Sequence, residues 1–315
     1  MSRDYWVSAI EWIVIAGIVA IDVGMAHATG IGVDANGAWT YGETVALLIL
    51  IWPATLLLTH VTGFAKDAAF LSEIPGKFFA YIAVASVLEY YLATSPAPLN
   101  DALLIDSDHA LGFDWPAACR WLAAHPAVHP FLAYPYFSLA TECGVVIGVI
   151  GVFYPRRARR FVTALILSSI LTIPLLWFFP VGGPFATFHD IGLPRSCFSY
   201  AYIGTRDYLA MRTHAYPAIP VAKMTGIVAF PSYHATCAVL LTYFLRGVPV
   251  LFPIAVVFNL MMLLATPFIG GHYLTDVLAG LAVAAATIYG IERIEAGFPA
   301  ERVPLWRAAP KPEEA

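Results

Sequence analysis

Charge is scarce in this sequence. Of its 315 residues, 12% are Asp, Glu, Lys or Arg, against 60% hydrophobic. An average soluble domain carries about 25% charged residues. The chain therefore has too little polar surface to face water, and lipid is the expected solvent for most of it. Other absences narrow the function. The four cysteines form no Cys-x-x-Cys pair and no zinc-ligand spacing, so neither a zinc site nor a dithiol motif is encoded. A glycine-rich nucleotide loop is missing, and so is a basic stretch suited to nucleic acid. No clear small-residue cleavage site follows the first apolar run, which is read as a retained helix. The net charge of -4 says little, because the few charges are sorted by side.

What is present is a series of apolar runs. About 20 apolar residues cross a bilayer as a helix. Eight segments meet that description: roughly 6–28, 43–62, 78–95, 131–153, 161–180, 225–246, 249–268 and 271–291. The stretch 96–130 is too polar to span and reads as an interfacial amphipathic segment, with Leu103, Leu104, Leu111, Trp115, Trp121 and Leu122 toward membrane or bundle. The expected fold is an all-α polytopic transmembrane bundle. Residues 1–95 supply N-terminal transmembrane helices, 96–130 the interfacial segment, 131–292 a catalytic six-helix core, and 293–315 a cytoplasmic tail.

Orientation follows from the cations. Arg156, Arg157, Arg159 and Arg160 lie between the fourth and fifth spans and mark that turn as cytoplasmic. Alternation then puts both termini inside, and twelve of the 17 Lys and Arg on that side. Four of the five exceptions, Arg195, Arg206, Arg212 and Lys223, fall in one outer loop, 181–224. Cys119 and Cys197 also fall outside and are able to pair, although sequence cannot set connectivity. Cys143 and Cys237 sit in apolar segments as packing residues.

That cationic loop leads into Phe230-Pro231-Ser232-Tyr233-His234, at the outer start of the sixth span. A second segment, Gly270-Gly271-His272-Tyr273-Leu274-Thr275-Asp276, opens the eighth. His272 and Asp276 are four apart and share a helix face. A carboxylate on one ring nitrogen fixes the tautomer and leaves the other nitrogen as a nucleophile. His234 suits a general acid. The Ser232 hydroxyl and the backbone at Gly270 and Gly271 are candidate phosphate contacts. Either histidine alone would more often be a hydrogen-bonded interface residue; the pair, the aspartate and the cations together carry the reading.

These residues resemble the type 2 phosphatidic acid phosphatase and vanadium haloperoxidase superfamily. Its Pro-Ser-x-His motif is matched by Pro231, Ser232 and His234. The His-x3-Asp end of its third motif is matched by His272 and Asp276. The likeness covers about 160–291, and more loosely Asp106 through Pro126. It implies metal-independent, cofactor-free phosphoryl transfer: His272 attacks phosphorus, Asp276 orients it, and His234 protonates the leaving alcohol. Two departures stand out. The Lys-x6-Arg-Pro motif is absent, and the third motif's Arg falls at Thr266. A phosphoryl transition state still needs compensating charge, for which Arg212, Lys223, Arg206 and Arg195 are the candidates, in that order. Thr at that place is similar to inositol phosphorylceramide synthases, and the run from His272 to Val277 resembles sphingomyelin synthases, which are transferases.

The resulting expectation is a membrane phosphatase or phosphotransferase at the outer face, in a bacterial inner membrane with the site toward the periplasm. Its expected partners are a lipid phosphate or phospholipid substrate and, for a transfer reaction, a lipid-alcohol acceptor, with no nucleic acid. A headgroup transferase is the first alternative, and a lipid transporter the alternative of another class, although no inverted repeat is visible. Glu142, Glu89, Glu11 and Asp22 read as hydrogen-bonded structural acids before relay groups. His189, Asp190 and His214 lack metal-site spacing.

Overall fold

The chain is an all-α polytopic bundle. The computed structural model describes residues 3–34, 66–197 and 202–296. The expected span at 43–62 lies outside those residues.

Helix α1 (Arg3–Thr29) is 27 residues long, about 40 Å at 1.5 Å per residue, enough to cross a hydrocarbon core of about 30 Å. Ile10, Ile13, Val19 and Ile21 are left exposed on it, as suits a helix facing lipid. Helix α2 (Lys66–Leu92) corrects the span expected at 78–95, since it starts well before that segment. Its N-terminal half carries charge into the bundle. Lys77, expected at the cytoplasmic surface, is buried. Its ammonium donates to Glu73 at 2.8 Å and also reaches Glu11 and Ser8. Arg159 binds the other Glu73 oxygen at 2.8 Å. Two acids and two bases thus neutralise one another, the condition under which charge is tolerated inside a bundle.

Two short helices follow, α3 (Asp101–Ala110) and α4 (Trp115–Ala124). Asp114 caps α4 by accepting from the Ala117 amide at 2.7 Å, with Pro116 in the first turn, a standard helix start. The expected interfacial segment divides here. Leu104, Trp115 and Leu122 face the bundle and are buried, while Leu103, Leu111 and Trp121 are exposed.

The segment expected as one span at 131–153 is broken. Helix α5 (His129–Phe137) meets α6 (Leu139–Val145) at Ser138 with a 44° bend, and a π-turn at Val146–Ile150 follows. Pro135 explains the bend, because it removes a helix donor and crowds the preceding turn. The Ser138 hydroxyl contacts both the Pro135 carbonyl and Glu142, each at 2.7 Å. Asn259 donates to the other Glu142 oxygen at 3.0 Å, which makes Glu142 a hydrogen-bonded member of this joint.

Helix α7 (Pro155–Phe178) is the central post. Phe161, Val162 and Leu165 pack with Tyr81, Ala85 and Leu88 of α2. The loop beyond it leads to α8 (Tyr202–Arg212). A two-residue parallel pair joins Gly32–Val33, after α1, to Ala218–Ile219. Three helices complete the bundle: α9 (Tyr233–Leu245), α10 (Leu251–Ile269) and α11 (Leu274–Ala296). Leu240, Leu241 and Phe244 of α9 close on α7. In lipid such contacts are held by close packing more than by exclusion of water.

Helix α9 corrects another expectation. The span read at 225–246 is helical over only 13 residues, because residues 225–232 run irregularly through a cis Phe230–Pro231 bond and proline disfavours helix in the residue before it. Charges collect at one end of the bundle. Arg157 donates to the Arg246 carbonyl at 2.9 Å, and Arg160 pairs with Glu292 at 3.1 Å. His234 and His272 lie at the opposite ends of α9 and α11.

Candidate active site

The site is assembled at the N-termini of α9 and α11. Ser232 is the N-cap of α9, its hydroxyl accepting from the Ala235 amide at 3.4 Å. Its own amide donates to the Asp276 carbonyl at 3.0 Å. One backbone bond therefore joins the two motif segments at a common depth. One turn further along, Thr236 donates to the Gly280 carbonyl at 3.0 Å. Gly280 permits this approach, since a side chain there would run into the Ser232 carbonyl.

His272 and Asp276 have the relation expected of an i,i+4 pair. The ring Nδ1 stands 3.4 Å from Asp276 Oδ2, longer than an ordinary N–H···O bond. At this separation Nδ1 is a buried atom without a hydrogen bond among the described residues, close to the carboxylate but not bonded to it. Oδ2 accepts from the Tyr273 amide at 2.8 Å, which fixes the carboxylate beneath the ring. Both residues are buried. With Nδ1 turned to the aspartate, Nε2 is the nitrogen left for chemistry. His234 lies within electrostatic reach of His272.

A second layer holds this arrangement. Asp108 accepts from the amides of Leu274 and Thr275, each at 2.8 Å, and from the Thr275 hydroxyl at 2.7 Å. It caps α11 from a helix far away in sequence. Asp101 accepts from the amides of Gly182 at 2.9 Å and Gly183 at 2.8 Å, and from the Tyr273 hydroxyl at 2.9 Å. It thereby ties the 182–183 loop to the residue after His272. The loop in turn covers the site. Gly271 adopts φ +65°, a conformation glycine takes at little cost, and any side chain there would strike the Phe185 ring. Trp115 stacks on Phe188 and donates to the Pro267 carbonyl at 2.7 Å. A Cys119–Cys197 disulfide joins α4 to the end of this loop, realising the pairing that sequence left open.

The amides of Tyr273, Leu274 and Thr275 are thus occupied by carboxylates. Those of Gly271 and His272 make no hydrogen bond among the described residues, so they are backbone donors with capacity for an anion.

The expected cations are distributed differently from the histidines. Arg212 donates to the Ser95 carbonyl at 2.8 Å and also to that of Ala97, clamping the chain just after α2. Arg206 has a side chain 66% exposed beside Asp207. Lys223 and Arg195 are exposed. Thr266 is buried, its hydroxyl donating to the Met262 carbonyl at 2.7 Å. His189 bonds its neighbour Asp190 at 2.8 Å, on the surface.

Sequence reasoning passed over three residues that the fold brings in: Asp101, Asp108 and Tyr136. The Tyr136 ring stacks on His234 with centroids 4.0 Å apart and planes 13° apart. Asp101 and Asp108 are seven apart, two helical turns on one face, and both are buried acids on a short helix. That spacing was the available signal.

Bundle and site together define a polytopic membrane protein with two histidines at one end, one of them buried beside a carboxylate and the other half-buried. The chain belongs to the PAP2 superfamily, whose profile matches residues 102–290, more than half of its length. Membership supports a phosphatase or phosphotransferase type of activity on lipid phosphates. The match begins at α3, so the segment carrying Asp108 and Trp115 falls within it. No curated protein matches the chain significantly. No solved structure does so either.

Proposed function

We propose that this protein hydrolyses or transfers lipid phosphate esters without metal, through a phosphohistidine on His272. The observation that carries the reading is the Nδ1 contact to Asp276 at 3.4 Å, which leaves Nε2 as the nucleophile near a second histidine. In the first step the Nε2 lone pair attacks phosphorus and a P–N bond forms. The P–O bond to the alcohol breaks, and protonated His234 gives its proton to the leaving oxygen. In the second step His234 takes a proton from water or an acceptor alcohol. That oxygen attacks phosphorus, and the P–N bond breaks to regenerate His272. The phosphate anion supplies the counter-charge that a protonated, half-buried His234 requires. The Gly271 and His272 amides, with Lys223 and Arg206 from the outer loop, are the proposed phosphate contacts; Ser232 contributes as the cap that aims α9.

An outward-facing site is supported by two features. The arginine-rich end of the bundle lies opposite the histidines, as expected when positive charge stays inside. A disulfide beside the site also fits an oxidising compartment.

Headgroup transfer is the second reading. Thr266 occupies the place of a phosphate-gripping arginine, and Arg212 is engaged by backbone carbonyls. A site with fewer cations suits a phosphodiester, with one negative charge, better than a phosphomonoester.

The test uses purified protein in detergent with EDTA present. Phosphatidic acid is supplied alone, and a phospholipid is supplied with and without a lipid alcohol. Release of inorganic phosphate from the first indicates hydrolysis, and acceptor-dependent product from the second indicates transfer. His272→Ala is expected to abolish both. Full turnover in that variant would remove the phosphohistidine.

A further inference from the structure

Tyr136 is buried at the C-terminal end of α5, immediately before the bend at Ser138. It packs with Leu122 of α4 and with Ala265 and Ile269 of α10, so three elements hold the ring. One ring face lies nearly parallel to the His234 imidazole. The hydroxyl end of the side chain lies in the neighbourhood of the second histidine. A side chain added at Gly270 would begin 2.6 Å from Tyr136 Oη and 2.8 Å from His272 Cδ2. Position 270 therefore has to be glycine, because any side chain there would meet both the phenol and the imidazole edge. Cδ2 is bonded to Nε2, the nitrogen turned away from Asp276. The hydroxyl thus lies in the neighbourhood of the His272 edge that carries Nε2.

We propose that Tyr136 is a third catalytic side chain, whose hydroxyl donates a hydrogen bond to a non-bridging oxygen of the phosphoryl group while its ring holds His234 in register. The proposal rests on the histidine mechanism above. A phenol is an uncharged donor whose proton can be aimed. Preorganised donors directed at developing phosphoryl charge act strongly in a water-poor site. Tyr136 supplies such a donor in a site where Thr266 stands in place of an arginine and Arg212 is held by carbonyls. Its position on the bent α5 also links the α5–α6 joint to the site, because movement at Ser138 displaces a side chain that stacks on His234 and lies near His272.

Orthovanadate, which takes up the geometry of a phosphoryl transition state, is the probe. Its affinity is measured on the full-length protein in detergent, together with the unfolding temperature without vanadate. Wild type is expected to bind and His272→Ala to lose binding. Tyr136→Phe keeps the ring and loses only the hydroxyl. It is expected to weaken vanadate by about 10- to 100-fold, the worth of one hydrogen bond to a charged group, at an unchanged unfolding temperature. Wild-type affinity in Tyr136→Phe, with His272→Ala inactive in binding, overturns the tyrosine's role and leaves the histidine mechanism standing. Absence of binding to wild type, or undiminished binding to His272→Ala, removes the histidine site and this proposal with it. Should Tyr136→Phe unfold early, its vanadate affinity is compared with wild type at a temperature where both are fully folded; weakened binding there supports the proposal and unchanged binding overturns it.

Discussion

The Ser232 amide donates to the Asp276 carbonyl at 3.0 Å. This bond joins the first residue of one motif helix to the carboxylate residue of the other, and it explains why two histidines 38 positions apart in the chain occupy one site. Asp276 therefore has two roles: its side chain faces His272, while its backbone anchors α9.

Only the side-chain role is removed by Asp276→Asn, because the carbonyl remains. The variant is expected to insert and fold normally, yet to turn over about 10³- to 10⁴-fold more slowly, the scale seen when an imidazole loses its orienting carboxylate. Steady-state turnover on phosphatidic acid, beside a detergent unfolding curve, checks this. Near-wild-type turnover would take Asp276 out of the mechanism.

Asp108 caps α11 through two amides and a hydroxyl. Asp108→Ala is expected to cost about 1–2 kcal/mol, the upper range for loss of a helix cap, and to lower turnover because His272 precedes the freed turn. Asp106→Ala, at an exposed neighbouring position, serves as the control. Equal unfolding temperatures for the two variants would show that the cap carries no weight.

The approach of α9 to α11 depends on Gly280. In Gly280→Ala the new methyl meets the Ser232 carbonyl, whereas Gly17→Ala adds a methyl into open space. The first substitution is expected to part the helices and reduce both stability and turnover. The second should leave both unchanged. If Gly280→Ala behaves like Gly17→Ala, the close helix contact does not position the site.

For Arg212 the sequence and the structure suggest different outcomes. Its place in a cationic loop ranks it first among phosphate contacts, yet its guanidinium holds the Ser95 and Ala97 carbonyls. Arg212→Ala is expected chiefly to lower the unfolding temperature, with at most a few-fold change in vanadate affinity. A larger loss of affinity at constant unfolding temperature would return Arg212 to the phosphate.

The parts of the site legible beforehand were those with a local rule. His272 and Asp276 obey helix spacing, and Ser232 follows the preference for a small polar residue at a helix start. Asp108 and Asp101 obey no such rule with respect to their partners. Asp108 meets Leu274 from 166 positions away, and Asp101 meets Tyr273 from 172. Span boundaries were legible only where apolar length and helix coincide. At α9 a proline shortened the helix, and at Ser138 another bent it, although hydropathy ran on across both places.

Composition alone required a lipid-embedded bundle, because so few charges cannot clothe a soluble surface, and two short motifs pointed to phosphoryl chemistry. Tertiary packing decided which residues surround those motifs: a tyrosine stacked on His234, two aspartates holding Tyr273 and the start of α11, and an arginine held by carbonyls. The reason is physical. Helix spacing places side chains only within a turn or two of one another, and partners separated by more than a hundred residues meet only once the helices have packed.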